Sequence, residues 1–215
     1  MQKEKRLVVI SPGWGNSTIN LRILEKNFQD QGFDVAIVPN ITTGIRDSAM
    51  QLAGVLQKAR QEYSHISFVG YSMGGLVGRY AIHKFPGVHN IDSYTSISTP
   101  HAGSALADFA RWSKTANDMK RDSEFLKEME DSEWPLQVPA LAIQAHVDEM
   151  VIPISSTILK HAENIMIPRT THLTVVMSDR TFFEIHSWLC SIFFPDDFHI
   201  APTSKGLSYR LKSLL

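Results

Sequence analysis

Short apolar segments recur along the chain, and longer stretches with helical spacing separate them. Six such segments cover residues 6–11, 33–39, 66–71, 91–98, 139–146 and 164–168. Between several of them, in 45–63, 73–81 and 182–192, apolar residues recur every three to four positions, the period of a helix buried on one face. This alternation predicts an α/β fold with a mostly parallel sheet of about six strands, flanked by helices on both faces.

The stretch from 102 to 136 departs from this alternation. It carries both signs of charge and is longer than one strand–helix–strand connection requires. We interpret 102–136 as a helical insert within a single domain that spans residues 1–215, and its charges as a solvated outer face. Its apolar residues, which include Trp112 and Phe125, make the insert a candidate small lid. Plain packing of its helices is the alternative.

The composition narrows the class of function. Hydrophobic residues make up 43% of the 215 residues, charged residues make up 20%, and the formal net charge is −1. This composition argues against a disordered tail and a polycationic nucleic-acid-binding protein. The first ten residues hold only a four-residue apolar run, so we expect no signal peptide, no transmembrane segment and a cytoplasmic location. The single cysteine, Cys190, cannot form an internal disulfide and agrees with a reducing compartment.

A glycine-rich motif follows the third apolar segment directly. The run Gly70-Tyr71-Ser72-Met73-Gly74 matches G-x-S-x-G, in which a sharp strand-to-helix turn exposes a serine hydroxyl at the top of a sheet. A strand pattern precedes the motif and a helix pattern follows it, as that turn requires. We therefore predict that Ser72 is a nucleophile, with a glycine-rich turn and an incidental serine as the alternative.

A serine hydroxyl becomes reactive when a base takes its proton and a carboxylate orients that base. Ligands gather at the carboxyl ends of strands in such a sheet, and Asp148 follows the fifth apolar segment directly, with Glu149 as its alternative. His172 follows the sixth segment and gives the chain order serine, acid, histidine. His146 and His101 also lie near strand ends and are rival bases.

Acyl transfer also requires N–H donors that face the developing oxyanion. The loop "SPGWGNST" after the first apolar segment can bring the N–H of Trp14 toward the serine, and the N–H of Met73 directly follows it. The candidate substrate-pocket residues are Tyr71, His101, Trp112, Phe125 and Val151. The sequence contains no P-loop, no dinucleotide fingerprint and no paired-cysteine or H-E-x-x-H spacing, so we expect no metal.

Together these segments resemble the α/β-hydrolase superfamily, and within it the lipase and esterase branch that includes triacylglycerol lipases and GPI-inositol-deacylase-like proteins. The resemblance covers residues 7 to about 190 and rests on "SPGWGNS", "GYSMGG", "STPHAGS", "DMKRDSEFLKEME", "DEMVIP" and "THL". It implies that Ser72 is the nucleophile, Asp148 the acid and His172 the base, that Trp14 and Met73 form the oxyanion hole, and that no cofactor takes part.

Two features depart from the family pattern. Pro12-Gly13 stands where family members usually have His-Gly, and the chain begins at what is usually the third strand, which implies a trimmed sheet.

The function expected from these observations is a serine hydrolase that cleaves carboxylic esters, lipid esters included, through an acyl-enzyme intermediate. Its partner would be a small-molecule acyl ester and not a nucleic acid. A thioesterase or deacylase that acts on acyl carriers or acylated proteins would use the same residues. A non-catalytic binding protein with a hydrolase fold is a further alternative, against which the complete set of serine, acid and histidine argues.

Overall fold

A six-stranded sheet forms the centre of the protein, in a computed structural model that describes residues 5–15, 17–41, 43–110, 113–130, 133–194, 198–201 and 208–211. Its strands are β1 (Arg6–Ser11), β2 (Asp34–Ile37), β3 (His65–Tyr71), β4 (Ser93–Ile97), β5 (Ala140–Ala145) and β6 (Glu163–Ile167). They lie in the order β2-β1-β3-β4-β5-β6, and every neighbouring pair is parallel. Each predicted apolar segment coincides with one of these strands.

Helices cover both faces of the sheet, as the alternating pattern predicts. They are α1 (Arg22–Asp30), α2 (Ile45–Ala59), α3 (Met73–Lys84), α4 (Lys114–Asp118), α5 (Glu124–Glu130), α6 (His172–Val175) and α7 (Asp179–Phe193). Helix α1 has no clear signal in the sequence, because its buried face consists of only Leu24 and Phe28. Two residues at this spacing are too few to stand out as a helical stripe.

Two hydrophobic clusters lie on opposite sides of the sheet. One includes side chains of α2, α3 and α5 together with Phe68, and the other includes side chains of α1 and α7 together with Val69. Phe68 and Val69 are neighbours on β3 and enter different clusters, because successive side chains of a strand point to opposite faces. The sheet is therefore buried on both sides, which explains its continuous apolar strands.

The strand order reverses at β1. The chain passes from β1 to β2 on one side of it and then returns to β3 on the other side. Such a reversal leaves a crevice at the carboxyl ends of the two strands, because the following loops leave in opposite directions. The loop that contains Trp14 follows β1, and Ser72 follows β3, so both lie at this crevice.

The insert between β4 and β5 consists of short helices. A 3₁₀ helix (Ala105–Phe109) precedes α4 and α5. Phe125 of α5 is buried in the same cluster as α2 and α3. Arg46 of α2 donates a hydrogen bond to Glu128 at 2.9 Å, and its guanidinium lies 5.1 Å from the centre of the Phe125 ring. These contacts attach the insert to the body of the protein.

The chain ends in a separate antiparallel pair of strands, β7 (Phe198–Ala201) and β8 (Ser208–Leu211). The weak periodicity of residues 195–215 supports no prediction for this segment. Across the described ranges, no helix combines the length and the apolar character needed to cross a membrane.

Candidate active site

Ser72 occupies the sharp turn between β3 and α3. Its φ is 53° and its ψ is −122°, a conformation that costs a non-glycine residue on the order of 1–3 kcal/mol. The N–H of Ser72 donates to the carbonyl of Ile97 in β4 at 2.8 Å, which fixes the turn to the neighbouring strand. The strained turn presents the serine at the carboxyl edge of the sheet.

Glycine is required on both sides of this turn because main-chain segments approach each other closely. A Cβ atom on Gly70 would lie 2.5 Å from the Cα of Gly75, and one on Gly74 would lie 2.6 Å from the carbonyl oxygen of Pro12. Backbone atoms cannot move aside as a flexible side chain can. The G-x-S-x-G pattern thus has a steric origin in the contact of β3, α3 and the loop after β1.

The structure brings Ser72, His172 and Asp148 into one hydrogen-bonded chain. The Nε2 atom of His172 lies 3.1 Å from the Oγ of Ser72, and its Nδ1 lies 2.9 and 3.0 Å from the two carboxylate oxygens of Asp148. The carboxylate assigns the ring proton to Nδ1. The lone pair of Nε2 then faces the serine hydroxyl and can accept its proton.

Asp148 is held as an anion although it is buried. Burial raises the pKa of the carboxyl group, but the hydrogen bond from His172 and the backbone N–H groups of Val151 and Met150 outweigh this effect and bring the pKa below its ordinary value. The two N–H donors lie 2.8 and 3.0 Å from Oδ1. A charged carboxylate is therefore available to stabilise a protonated imidazole.

Two neighbours hold the backbone of His172. The hydroxyl of Tyr71 donates to the carbonyl of His172 at 3.0 Å, and a carboxylate oxygen of Glu149 accepts its N–H at 3.2 Å. Burial and the nearby charges of Asp148 and Glu149 raise the pKa of Tyr71, which keeps its hydroxyl protonated as a donor. Tyr71 and Glu149 thus hold the main chain of His172 through its carbonyl and its N–H.

The rival histidines lie elsewhere. His146 is exposed, and its Nδ1 accepts the N–H of Arg169 at 3.3 Å. His101 is only 3% exposed, and its Nε2 lies 3.0 Å from the Oγ of Ser96. The guanidinium of Arg79 donates to the carbonyl of His101 at 3.2 Å, and both residues line a separate cavity. The expected role of His101 as a substrate-pocket residue is thereby corrected.

The loop after β1 approaches Ser72 closely. A Cβ atom on Gly13 would lie 3.2 Å from the Cβ of Ser72, and Trp14 borders the same cleft as Ser72. Met73 provides the first N–H of α3, which has no partner inside the helix. The amino end of a helix also carries partial positive charge. Both features favour a negatively charged oxygen near Ser72.

Asn40, which the sequence analysis did not identify, supports this loop. It follows β2 and is buried, its Oδ1 accepts the hydroxyl of Ser11 at 2.8 Å, and its Nδ2 donates to the carbonyl of Pro12 at 2.7 Å. These bonds hold the Pro12-Gly13 loop that replaces the usual His-Gly. The one feature of the sequence that could have identified Asn40 is that it is a polar residue close to the carboxyl end of a strand.

A small apolar cleft of about 80 Å³ adjoins Ser72. The insert contributes Leu106, Ala107, Ala116 and Met119 to its described lining, and the loop after β5 contributes Met150 and Val151. Val151, a predicted pocket residue, thus lies where it is expected.

Two other predicted pocket residues have different outcomes. Phe125 is 1% exposed and stacks on Tyr80 with ring centres 5.4 Å apart, so it belongs to the core and not to the cleft. Its apolar side chain is used for packing of α5 on α3, which corrects the expected pocket role. Trp112 lies outside the described residues.

Comparisons with known proteins support a hydrolase. Residues 40–121, which include Ser72, match a family described as "Putative serine esterase (DUF676)". A comparison with curated proteins gave no match.

Solved structures resemble the whole fold. The mature lipase BlEst2 of Bacillus licheniformis has a TM-score of 0.76 and 17% identity, over 88% of this chain and 93% of that chain. A metagenomic carboxyl esterase has a TM-score of 0.70 and 16% identity, over 81% and 66%. RedJ, a thioesterase of prodiginine biosynthesis in Streptomyces coelicolor, has a TM-score of 0.54 and 16% identity, over 88% and 86%.

The predicted fold class and the predicted resemblance are confirmed. The chain has the α/β-hydrolase fold and is similar to lipases and esterases, and the family match supports hydrolase activity. At these identities the solved structures show the fold alone, so the reaction and the roles of individual residues rest on the geometry of the site.

Proposed function

We propose that this α/β-hydrolase cleaves carboxylic esters through an acyl-enzyme intermediate on Ser72. The Oγ of Ser72 attacks the ester carbonyl carbon while its proton passes to Nε2 of His172. Asp148 stabilises the resulting imidazolium. The tetrahedral intermediate collapses as the C–O bond breaks, and His172 gives its proton to the leaving alcohol. Water then attacks the acyl-enzyme by the same steps and releases the acid and free Ser72.

The backbone N–H groups of Trp14 and Met73 are the proposed oxyanion donors. Negative charge develops on the carbonyl oxygen when Ser72 attacks, and a preorganised N–H stabilises this charge without reorganisation. Loss of one such donor typically lowers kcat by about 10²–10³-fold. The close approach of Gly13 to Ser72 and the position of Met73 at the first turn of α3 support this assignment.

The observation that carries the proposal is the continuous hydrogen-bonded chain from Ser72 through His172 to Asp148. A binding protein gains nothing from a strained serine whose hydroxyl faces an imidazole nitrogen, or from a buried carboxylate behind that imidazole. The strained turn costs folding free energy, and nucleophilic catalysis requires both features. They therefore favour an enzyme over a non-catalytic binding protein.

Thioester hydrolysis is a second candidate function, and the structural similarity to the RedJ thioesterase favours it. Ser72 would attack a thioester carbonyl in the same way, with a thiol as the leaving group. A matched pair of butyryl substrates, one an oxygen ester and one a thioester of similar leaving-group size, separates the two reactions. We expect the larger kcat/KM with the oxygen ester.

The experiment that tests the proposal is covalent labelling with a fluorophosphonate probe. The wild type should be labelled, and Ser72→Ala should not be. Ser104→Ala is the matched control, since Ser104 lines the same cleft but its hydroxyl is bonded to the carbonyl of Met150 at 2.8 Å and the N–H of Ile152 at 3.1 Å. Ser104→Ala should keep its labelling. An unlabelled wild type, or equal labelling of Ser72→Ala, would contradict the proposal.

A further inference from the structure

We propose that the cleft beside Ser72 is an acyl pocket that admits short acyl groups, from acetyl to butyryl, and that Met119 sets its depth. The inference rests on the proposed function, because an acyl group enters this cleft only when its carbonyl carbon bonds to Ser72. It assigns a size class of substrate and a specificity residue.

The size of the cleft limits the acyl chain. Its volume is about 80 Å³. A cavity of about 150 Å³ in a protein core holds one benzene molecule, which has six carbon atoms. By this measure the cleft holds about three or four carbon atoms, so the rest of a longer chain finds no apolar space within it.

The position of the base indicates which part of the ester the cleft receives. The leaving alcohol must lie beside Nε2 of His172, which protonates it. His172 is absent from the described lining of the cleft, whereas Trp14, the proposed oxyanion donor, is part of it. The acyl chain is therefore assigned to this cleft, and the leaving alcohol to the side of His172.

The chemistry of the wall fits an unsubstituted alkyl group. Leu106, Ala107, Ala116, Met119 and Val151 present apolar side chains. The hydroxyl of Ser104 is already bonded to the carbonyl of Met150 and the N–H of Ile152, so it does not require a polar ligand. A charged or hydroxylated acyl group would lose hydration among these apolar side chains.

Met119 lines the cleft and is held on a fixed backbone. Its side chain is buried with the cluster that packs α2, α3 and α5, and the residue is 8% exposed. Its carbonyl accepts the N–H of Ser104 at 2.9 Å, and its own N–H donates back to Ala116 at 3.1 Å. These bonds hold the backbone of Met119 in place. Shortening its side chain should therefore deepen the pocket.

The test compares p-nitrophenyl acetate, butyrate, hexanoate and octanoate. For the wild type, kcat/KM with octanoate should be at least about tenfold below that with butyrate, because one ill-fitting methylene alone changes specificity by about 10–200-fold. Met119→Ala should raise the octanoate-to-butyrate ratio at least about tenfold. Ala116→Leu should instead lower butyrate hydrolysis relative to acetate hydrolysis.

Met129→Ala is the matched control. Met129 is a fully buried methionine of the same insert and is not in the described lining of the cleft. This variant should lower the melting temperature and leave the octanoate-to-butyrate ratio unchanged. In a series of butyrate esters with longer alcohols, Met119→Ala should leave the order of preference as in the wild type.

Several outcomes would overturn the acyl pocket. They are a wild type that prefers octanoate, a Met119→Ala variant with an unchanged ratio, an equal shift in Met129→Ala, or a shift confined to the alcohol series. Fluorophosphonate labelling of the same preparations separates this failure from failure of the proposed function. A labelled enzyme with the wrong chain-length profile refutes only the pocket, whereas an unlabelled enzyme refutes the hydrolase itself.

Discussion

The Nε2 atom of His172 lies 3.1 Å from the Oγ of Ser72, although the two residues are 100 positions apart in the chain. Ser72 follows β3, and His172 follows β6 after a short loop. Because the strands of a parallel sheet end at the same edge, the fold brings these two loops together. The pair is therefore a product of the topology and not of local sequence.

The assignment of the base predicts a large difference between histidine variants. His172→Ala should lower kcat for an activated ester by about three orders of magnitude or more, as loss of a triad histidine does. His146→Ala is the control, because His146 is exposed and its ring accepts the N–H of Arg169. The kcat of His146→Ala should fall much less. An inactive His146→Ala beside an active His172→Ala would contradict the assignment.

The depressed pKa of Asp148 predicts how stability depends on pH. A carboxyl group with a folded-state pKa below its unfolded value, about 4, stabilises the protein above that value, and this contribution is lost as the pH falls through the folded pKa. Asp148→Asn cannot ionise. The melting temperature of the wild type should therefore exceed that of Asp148→Asn most above about pH 4, and the difference should shrink at lower pH.

The control for this pH series is Asp30→Asn, which removes an exposed carboxylate that pairs with Lys26 on α1. Exposed ion pairs contribute about 0–1 kcal/mol, so this variant should differ little from the wild type at any pH. At pH 7, Asp148→Asn should also lower kcat by about 10³–10⁴-fold, because the amide cannot stabilise the imidazolium. A difference in melting temperature that stays constant from pH 7 to pH 3 would argue against an ionised Asp148 in the folded protein.

The hydrogen bonds of Asn40 predict that it positions the loop after β1, which carries the proposed oxyanion donor Trp14. Asn40→Ala removes the bonds to Ser11 and Pro12 and should lower kcat about tenfold or more with a small change in KM, since the loop acts mainly on the transition state. A boronic acid that mimics the tetrahedral intermediate should lose affinity in parallel with kcat.

Asn164→Ala is a matched control for Asn40→Ala. Asn164 also ties a loop through its amide, to the N–H and carbonyl of Leu159, at a distance from the cleft. This variant should lower stability and leave kcat unchanged. If both asparagine variants lose kcat in proportion to their loss of stability, Asn40 has only a structural role.

The strands were predictable because a parallel sheet buries both faces of each strand and so produces continuous apolar runs such as Val8 to Ile10. The candidate triad was predictable for a related reason. A local motif marks Ser72, and the carboxyl-end rule then selects Asp148 and His172 among many acids and nine histidines. The hydrogen-bonding geometry agrees with that selection, and the catalytic roles remain predictions.

The side chains whose roles were predicted wrongly from the sequence depend on contacts between distant elements. His101 and Phe125 have the residue types of a pocket wall, yet Arg79 holds the backbone of His101 and Tyr80 stacks on Phe125. Asn40 carries no periodic signal, since its partners lie 28 and 29 positions away. Periodicity shows that a residue is buried, but not which neighbour it meets.

The packing of Phe125 predicts that the insert acts as a fixed wall beside the cleft. Phe125→Ala removes a buried ring that contacts both Tyr80 and Arg46 and should destabilise the protein by about 3–5 kcal/mol. Its kcat/KM values should fall in parallel for acetate, butyrate and octanoate esters, because the ring does not line the cleft. Phe109→Ala is the control in the same insert, since Phe109 is 76% exposed, and it should leave the melting temperature nearly unchanged. A selective loss with octanoate in Phe125→Ala, at an unchanged melting temperature, would instead make α5 part of a lid that closes over the acyl chain.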